Sequence, residues 1–429
     1  MNLINPKQAG LLLSAMLVSA SLAAGPASSS SNPGIFPINS VPDGKSYGNW
    51  TAAWWQWELS VPAAQNPDED TTGGYANLNQ GGPVWFLPGT FGDQTYPVVR
   101  NISVPAGKEL FLPVYPWIFG SCAGDCDPSN PGVTCDIPTL RQAAASAATS
   151  VLTGSMEVSI DGVPVREVSQ YRALSPSGFS VTLPPDNVLQ FLGVSSDVAG
   201  TYTPQVSDGY WLMLRSLSPG KHTVLIHVIN PTFGADQTLV YHLNVEDPIL
   251  ALLQDLYWRN FFGQITVPKD SNGNSAVGNL VLLGVPSAPG DGTPGSIDLT
   301  LKSNEAFFLP LWNLLGTSYN DGTPDDPAIA LKVYQTLNLK LTLDGTPLLD
   351  SGNGNLMDNY SEFKFVPPIP LSADFSPANA FIWLQGISTL HGPLSSGTHV
   401  LHLDAKNTDS TDVFGLTIEY HNTWNLTVK

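Results

Sequence analysis

Charge is scarce in this chain. Of 429 residues only 12% are Asp, Glu, Lys or Arg. Basic residues are the scarcer half: 17 Lys and Arg stand against 36 Asp and Glu, a formal charge of −19. Phosphate backbones and anionic lipid repel such a surface, which argues against nucleic acid and charged membrane as partners. Long apolar runs are lacking after the N-terminus, so no membrane span is expected. No Gly-x-Ser-x-Gly elbow, His-Glu-x-x-His, P-loop or dinucleotide fingerprint is present. Cysteine is nearly absent. Cys122, Cys126 and Cys135 are the only three, and an odd number leaves one unpaired.

Glycine and proline are plentiful, at 39 and 37. With low charge and many β-branched residues, this composition describes a secreted all-β protein better than a helical one. The N-terminus agrees. Lys7 precedes the apolar run Leu11–Val18, and Ser21-Leu22-Ala23 offers the small residues of a cleavage site, so residues 1–24 read as a signal peptide. Residues 25–42, with serines at 28–31, read as a flexible leader. The expected location is outside the cytoplasm, extracellular or periplasmic.

The rest of the sequence repeats itself. Phe111-Leu112-Pro113 returns as Phe308-Leu309-Pro310. Ser155–Pro164 is matched by Asn338–Pro347, and Leu217–His222 by Leu394–His399, in the same order. Two units follow, 43–248 and 249–429, the second a degenerate copy with almost no linker before it. In each, apolar residues alternate with polar ones (Met156, Val158, Ile160; Leu339, Leu341, Leu343) and end in Asp-Gly, the signature of a half-buried hairpin. Each unit also predicts two short helices: Tyr47–Leu59 and Leu140–Leu152 in the first, Ile249–Phe262 and Ala328–Leu337 in the second. Asp136 with Pro138, and Asp326-Pro327, mark two of the starts. The expected fold is mainly β: a tandem pair of homologous β-sandwich or jelly-roll-like domains, each with two short helices.

Four sets of residues are candidates for function. Trp50, Trp54 and Trp57 share a helix face and, with Gln56 and Glu58, would make an aromatic platform for sugar rings. The alternative is a helix packed on a sheet, with indole N–H groups bonded at its edge. Unit two keeps aromatic bulk there (Tyr257, Trp258, Phe261, Phe262) without the Trp pattern, which favours packing. The three cysteines in an exported chain predict a disulfide, Cys122–Cys135 or Cys126–Cys135; zinc would need a fourth ligand, and no His is near. Acidic turns at Asp68 and Asp70, at Asp270 and Asn272, and at Asp321 and Asp325 are candidate calcium ligands. None completes an EF-hand loop, and solvated turns have the same composition. His222 and His399 occupy matching turn positions, where a strand-edge hydrogen bond is expected rather than catalysis.

The stretch Ser46-Tyr-Gly-Asn-Trp50-Thr-Ala-Ala-Trp-Trp-Gln-Trp57, with Gly82-Pro-Val-Trp-Phe-Leu87, Val104-Pro-Ala-Gly-Lys108, Ile160-Asp-Gly-Val-Pro164, Asp208-Gly-Tyr-Trp211 and Pro219-Gly-Lys-His-Thr223, resembles a group of secreted bacterial proteins of unknown function. Unit one matches along most of its length; unit two lacks most of those tryptophans. The resemblance implies export and a whole-domain unit, and supplies no catalytic residue. Members often carry Cys before the Gly-Pro-Val-Trp run and before Val-Pro-Ala-Gly. Here Tyr75–Gly82 and Arg100–Ser103 have none, so a disulfide joining those places is absent.

Two functions are therefore expected as alternatives. The first is a non-catalytic binding or surface-associated protein, with an extracellular glycan as the leading partner and no cofactor unless calcium. The second is a secreted polysaccharide hydrolase or lyase using carboxylates such as Glu58, Asp68 or Glu109. Two facing carboxyl groups in a concave site would favour the second.

Overall fold

The Asp-Gly turns close as left-handed pairs. Asp161 and Gly162 have φ of 50° and 75°, Asp344 and Gly345 of 52° and 78°. Both central residues then carry positive φ, the turn whose twist matches that of the flanking strands. A computed structural model describes residues 32, 34–92, 94–121, 136–195, 198–407 and 417–429. The signal segment and all three cysteines, with the disulfide expected of them, lie outside the described residues.

The first ten strands belong to unit one: β1 (Val84–Phe86), β2 (Val98–Val104), β3 (Glu109–Gly120), β4 (Ser155–Ile160), β5 (Val163–Pro164), β6 (Arg172–Leu174), β7 (Phe179–Leu183), β8 (Gly200–Leu214), β9 (Gly220–Asn230) and β10 (Ala235–Val245). Unit two follows with β11 (Ser275–Val277), β12 (Leu280–Leu282), β13 (Gly295–Leu301), β14 (Ala306–Tyr319), β15 (Asn338–Leu343), β16 (Thr346–Asp350), β17 (Tyr360–Pro370), β18 (Ala378–His391), β19 (Gly397–Lys406) and β20 (Glu419–Val428). One sheet of unit one runs β2-β10-β9-β4-β5, and its counterpart in unit two runs β13-β20-β19-β15-β16. The other runs β1-β3-β8-β6, with β7 also on β8, against β12-β14-β18-β17 with β11 outside β12. Pairing sense agrees too: β2 is parallel to β10 as β13 is to β20, and β1 to β3 as β12 to β14. The sequence repeats fall on equivalent strands. The fold is mainly β, with sheets packed as sandwiches.

Among the described residues five α-helices accompany these sheets: α1 (Tyr47–Glu58), α2 (Ile137–Ser150), α3 (Val188–Phe191), α4 (Pro248–Phe261) and α5 (Leu331–Gln335). Four start on a capping side chain: Ser46, Asp136, Asn187 and Asp247 accept from the first-turn N–H groups, as expected of such residues. α5 differs from the expected Ala328–Leu337. Asp326 does not cap it, because its carboxylate accepts from Thr317 N at 2.9 Å and from the Tyr319 hydroxyl at 3.0 Å. Without that cap only five residues wind. The leader also differs from expectation at its described end. Phe36 N donates to Met213 O and Arg215 N to Gly34 O, both at 2.8 Å, so this stretch is fastened to the end of β8. No helix among the described residues is long and apolar enough to cross a membrane.

The two units share an interface. Asn77 of unit one donates to Ile329 O at 2.8 Å and accepts from Leu331 N at 3.0 Å. Gln335 donates to Asn101 O, and Asn244 to Met357 O. The helix α5 is thereby seated on unit one.

Candidate functional site

The tryptophan helix is core rather than platform. Trp50, Trp54 and Trp57 are 5%, 0% and 5% exposed. Their indole N–H groups donate to Pro42 O, Leu87 O and Leu78 O at 3.1, 2.9 and 2.7 Å. Trp54 meets Trp211 of β8 edge-on at 5.3 Å, and Trp211 stacks on Phe111 of β3. The three rings face the sheet, so a sugar has no open face to stack on. Gln56 points outward and donates to Ser180 O at 2.9 Å.

Glu58 and Asp68 lie together, but in the interior rather than in a cleft. They are 0% and 2% exposed. Neither oxygen of Glu58 meets a donor. Burial, then the neighbouring Asp68 carboxyl, holds its proton on well above the usual carboxylate range. As a neutral acid it can donate to Asp68. Burial pushes Asp68 up to about 6, against the pull of Arg100. Arg100, itself fully buried, donates to the carbonyls of Asp68, Asp70 and Gly89 at 2.8, 2.6 and 2.6 Å. A guanidinium thus occupies the oxygen-rich turn suggested for calcium, and Asp70 itself accepts from Thr72 and Tyr75. Asp270 is committed to the backbone N–H groups of Asn272 and Asn274, and Asp321 to that of Thr323. Among the described residues no group of three or more His, Cys, Asp or Glu is placed to hold a metal ion. Glu109 is pushed up to about 7 by burial and by the nearby Asp43 carboxyl, far in sequence from the other acids.

A different pair of carboxyls lies in a concave place. Between the units a cleft of about 890 Å³ is lined by Asn77, Gln80, Trp85 and Lys108 of unit one and by Glu362, Trp383 and Gln385 of unit two. Glu246 at the end of β10 and Asp325 also line it. Glu246 is 3% exposed and accepts from Glu362 N at 2.9 Å. The Glu362 carboxylate accepts from the Tyr360 hydroxyl at 2.9 Å, Gln385 Nε2 at 3.0 Å and Asn77 Nδ2 at 3.4 Å. Burial raises both acids, Glu246 well above the usual range, with Glu362 adding to it. Burial also lowers the Lys108 ammonium against the pull of Glu362. Glu246 Oε1 and Trp85 Nε1 find no protein partner, and a buried polar group left so costs about 1–3 kcal/mol.

No known protein family matches this chain, and no curated protein does. Solved structures give distant likenesses only. PbICP-C, from its complex with falcipain-2, is 15% identical over 35% of this chain and all of that one, with a TM-score of 0.17. Chimeric titin Z1Z2 carrying a decorin peptide is 11% identical over 64% of this chain and 81% of that one, at 0.14. The fibronectin(III)-like modules of Clostridium thermocellum CbhA are 10% identical over 64% and 77%, at 0.12.

The cleft was not legible as a site in the sequence. Its residues come from places far apart, and of those named only Trp85 and Lys108 belong to the stretches that carry the resemblance, which assigns a role to neither. The near absence of a linker implied a shared interface, and Glu246, an acid at that junction, was the available signal. Chemically, the cleft offers amides, carboxyls, an amine and indole edges in one concavity. The amide N–H groups of Asn77, Gln80 and Gln385, the Trp383 N–H and the Lys108 ammonium already donate within the protein, so what the wall offers a hydroxylated ligand is mainly acceptor oxygens and aromatic surface.

Proposed function

We propose that this protein is an exported, non-catalytic glycan-binding protein that takes its ligand in the cleft between its two units. The observation that carries this reading is the lining of that cleft. Asn77, Gln80 and Gln385 supply amides, Trp85 and Trp383 supply aromatic surface, and Glu246 and Trp85 each retain a polar atom without a protein partner. A sugar hydroxyl both donates and accepts, so it can meet an orphan N–H or an orphan carboxyl oxygen. The acidic surface favours a neutral or basic glycan over a uronate or sulfated one.

A second reading, a carboxylate-dependent hydrolase or lyase, draws its support from Glu246 and Glu362. Both acids are shifted toward the protonated form, as a general acid requires, and they stand side by side in the concavity. A glycan array run beside a reducing-sugar release assay separates the two. Array binding without release supports the binding protein. Release that Glu246→Gln abolishes, with glycan binding kept, supports the enzyme. Silence in both assays rejects carbohydrate in either class and leaves a structural envelope role.

A further inference from the structure

Unit two holds a second cavity, away from the inter-unit cleft, of about 230 Å³. Tyr257, Trp258 and Phe261 of α4, Trp312 of β14, and Tyr420 and Asn422 of β20 wall it. Phe261 is 59% exposed at its rim. Asn313 and Asn422 both reach this wall, and Asn422 is the one out of place. Asn422 is only 7% exposed, and its Oδ1 has no protein partner.

The duplicated fold supplies a control. Asn422 pairs with Gly295 on β13 and with Leu403 on β19; at the same register in unit one, Leu239 pairs with Val98 on β2 and Ile226 on β9. Unit one fills this corner with two buried aliphatic side chains, Val98 and Leu239. Unit two has a glycine and an amide instead, and the two changes depend on each other. A Cβ on Gly295 would lie 2.8 Å from Asn422 Oδ1 and 2.9 Å from Pro286 Cβ, so the glycine is what admits the amide. Folding alone requires no amide here, since an unsatisfied buried carbonyl is a cost that unit one avoids.

We infer that this cavity is a binding site for a small planar ring bearing a single hydroxyl, a phenol-type compound. Aromatic walls favour a ring packed edge-on or offset-stacked. Rotation of the Asn422 amide about χ2 turns either its C=O or its NH₂ inward, and a hydroxyl can meet either. A monosaccharide fits poorly, because most of its hydroxyls would be buried against rings without partners.

The test uses the full chain and three probes in equilibrium dialysis: p-cresol, toluene and methyl glucoside. Saturable p-cresol binding is expected, with toluene roughly tenfold weaker for want of the hydroxyl. Methyl glucoside should not displace p-cresol, whatever it does in the inter-unit cleft. Asn422→Leu restores the unit-one residue. It should erase the preference for p-cresol over toluene while the melting temperature holds or rises. Phe261→Ala, at an exposed rim position, should weaken p-cresol severalfold and serves if the first variant fails to fold. The inference is overturned if p-cresol does not saturate, if methyl glucoside displaces it, or if the variant that folds leaves p-cresol binding unchanged.

Discussion

Trp54 shows how one side chain serves two demands. Its ring lies among Trp55, Trp57 and Trp211, and its N–H reaches Leu87 O. Trp54→Ala removes the packing, leaves a cavity and orphans that carbonyl, so a loss of about 3–5 kcal/mol is expected in denaturant unfolding. Gln56, on the outer side of the same helix, bonds only Ser180 O at the surface, and Gln56→Ala should cost no more than about 0.5 kcal/mol. Equal losses at the two positions would contradict the assignment of the indole face to the core. Glu58 poses the opposite case, a buried acid that holds its proton. Glu58→Gln keeps shape and neutrality, so stability at pH 7 should stay the same or rise. A loss of several kcal/mol would mean that Glu58 is ionised in the fold.

At the scale of elements the repeated bracket around the Asp-Gly turns is the clearest unit. His222 Nδ1 lies 2.8 Å from Asp161 Oδ2, and Nε2 lies 2.8 Å from Ser218 O. His399 repeats this with Asp344 at 2.7 Å and Ser395 O at 2.9 Å. The second carboxylate oxygen accepts from Thr223 N in one unit and Val400 N in the other, each at 2.8 Å. Asp is thus chosen twice over, for its tolerance of positive φ and for its reach to the next hairpin. Asp161→Ala and Asp344→Ala should each cost about 1–2 kcal/mol, from left-handed strain and one lost backbone bond. The His–Asp bonds themselves reach half-exposed carboxylates and add little. A large difference between the two losses in thermal unfolding would show that the brackets are not equivalent.

These elements also mark what the sequence could and could not convey. Period-two alternation and Asp-Gly are local signals, so hairpins, helix starts and the repeat were readable. The bounds of α5 were not, because Asp326-Pro327 reads as a helix start while the Asp326 carboxylate is held by β14, a contact no local pattern encodes. The packing of the Trp face was readable only through the comparison with α4. Of the cleft only the shared interface and its junction acid Glu246 were readable, since Asn77, Lys108, Glu362 and Gln385 meet only once the two units dock.

For the whole molecule, the distribution of shifted acids sets the response to pH. Asp68 is pushed up to about 6 and Glu109 to about 7, and Glu58, Glu246 and Glu362 are raised as well, burial being the first cause in each. An acid whose folded pKa exceeds its unfolded one favours the fold while protonated, and that contribution is lost as pH rises through the folded value. Lowering pH from 8 toward 5 should therefore stabilise the protein. His399 and His421, both raised by bonded carboxylates, act in the same direction, and so does relief of a net charge of −19. The turn carboxylates oppose this at lower pH. Asp161 is lowered by His222 and Thr223, Asp270 by Asn274 and Asn272, and Asp344 by His399 and Val400, although burial counters this at Asp161 and Asp270. Their contribution is present above the unfolded value, roughly pH 4, and is lost as pH falls below it. The melting temperature should then peak at roughly pH 4.5–6, between the two sets. Calorimetric scans from pH 3 to 8 check this. Removing one raised acid by Glu246→Gln should flatten the alkaline limb and leave the acid limb in place. A melting temperature that climbs steadily to pH 8 would mean that the buried acids are ionised and paired in the fold.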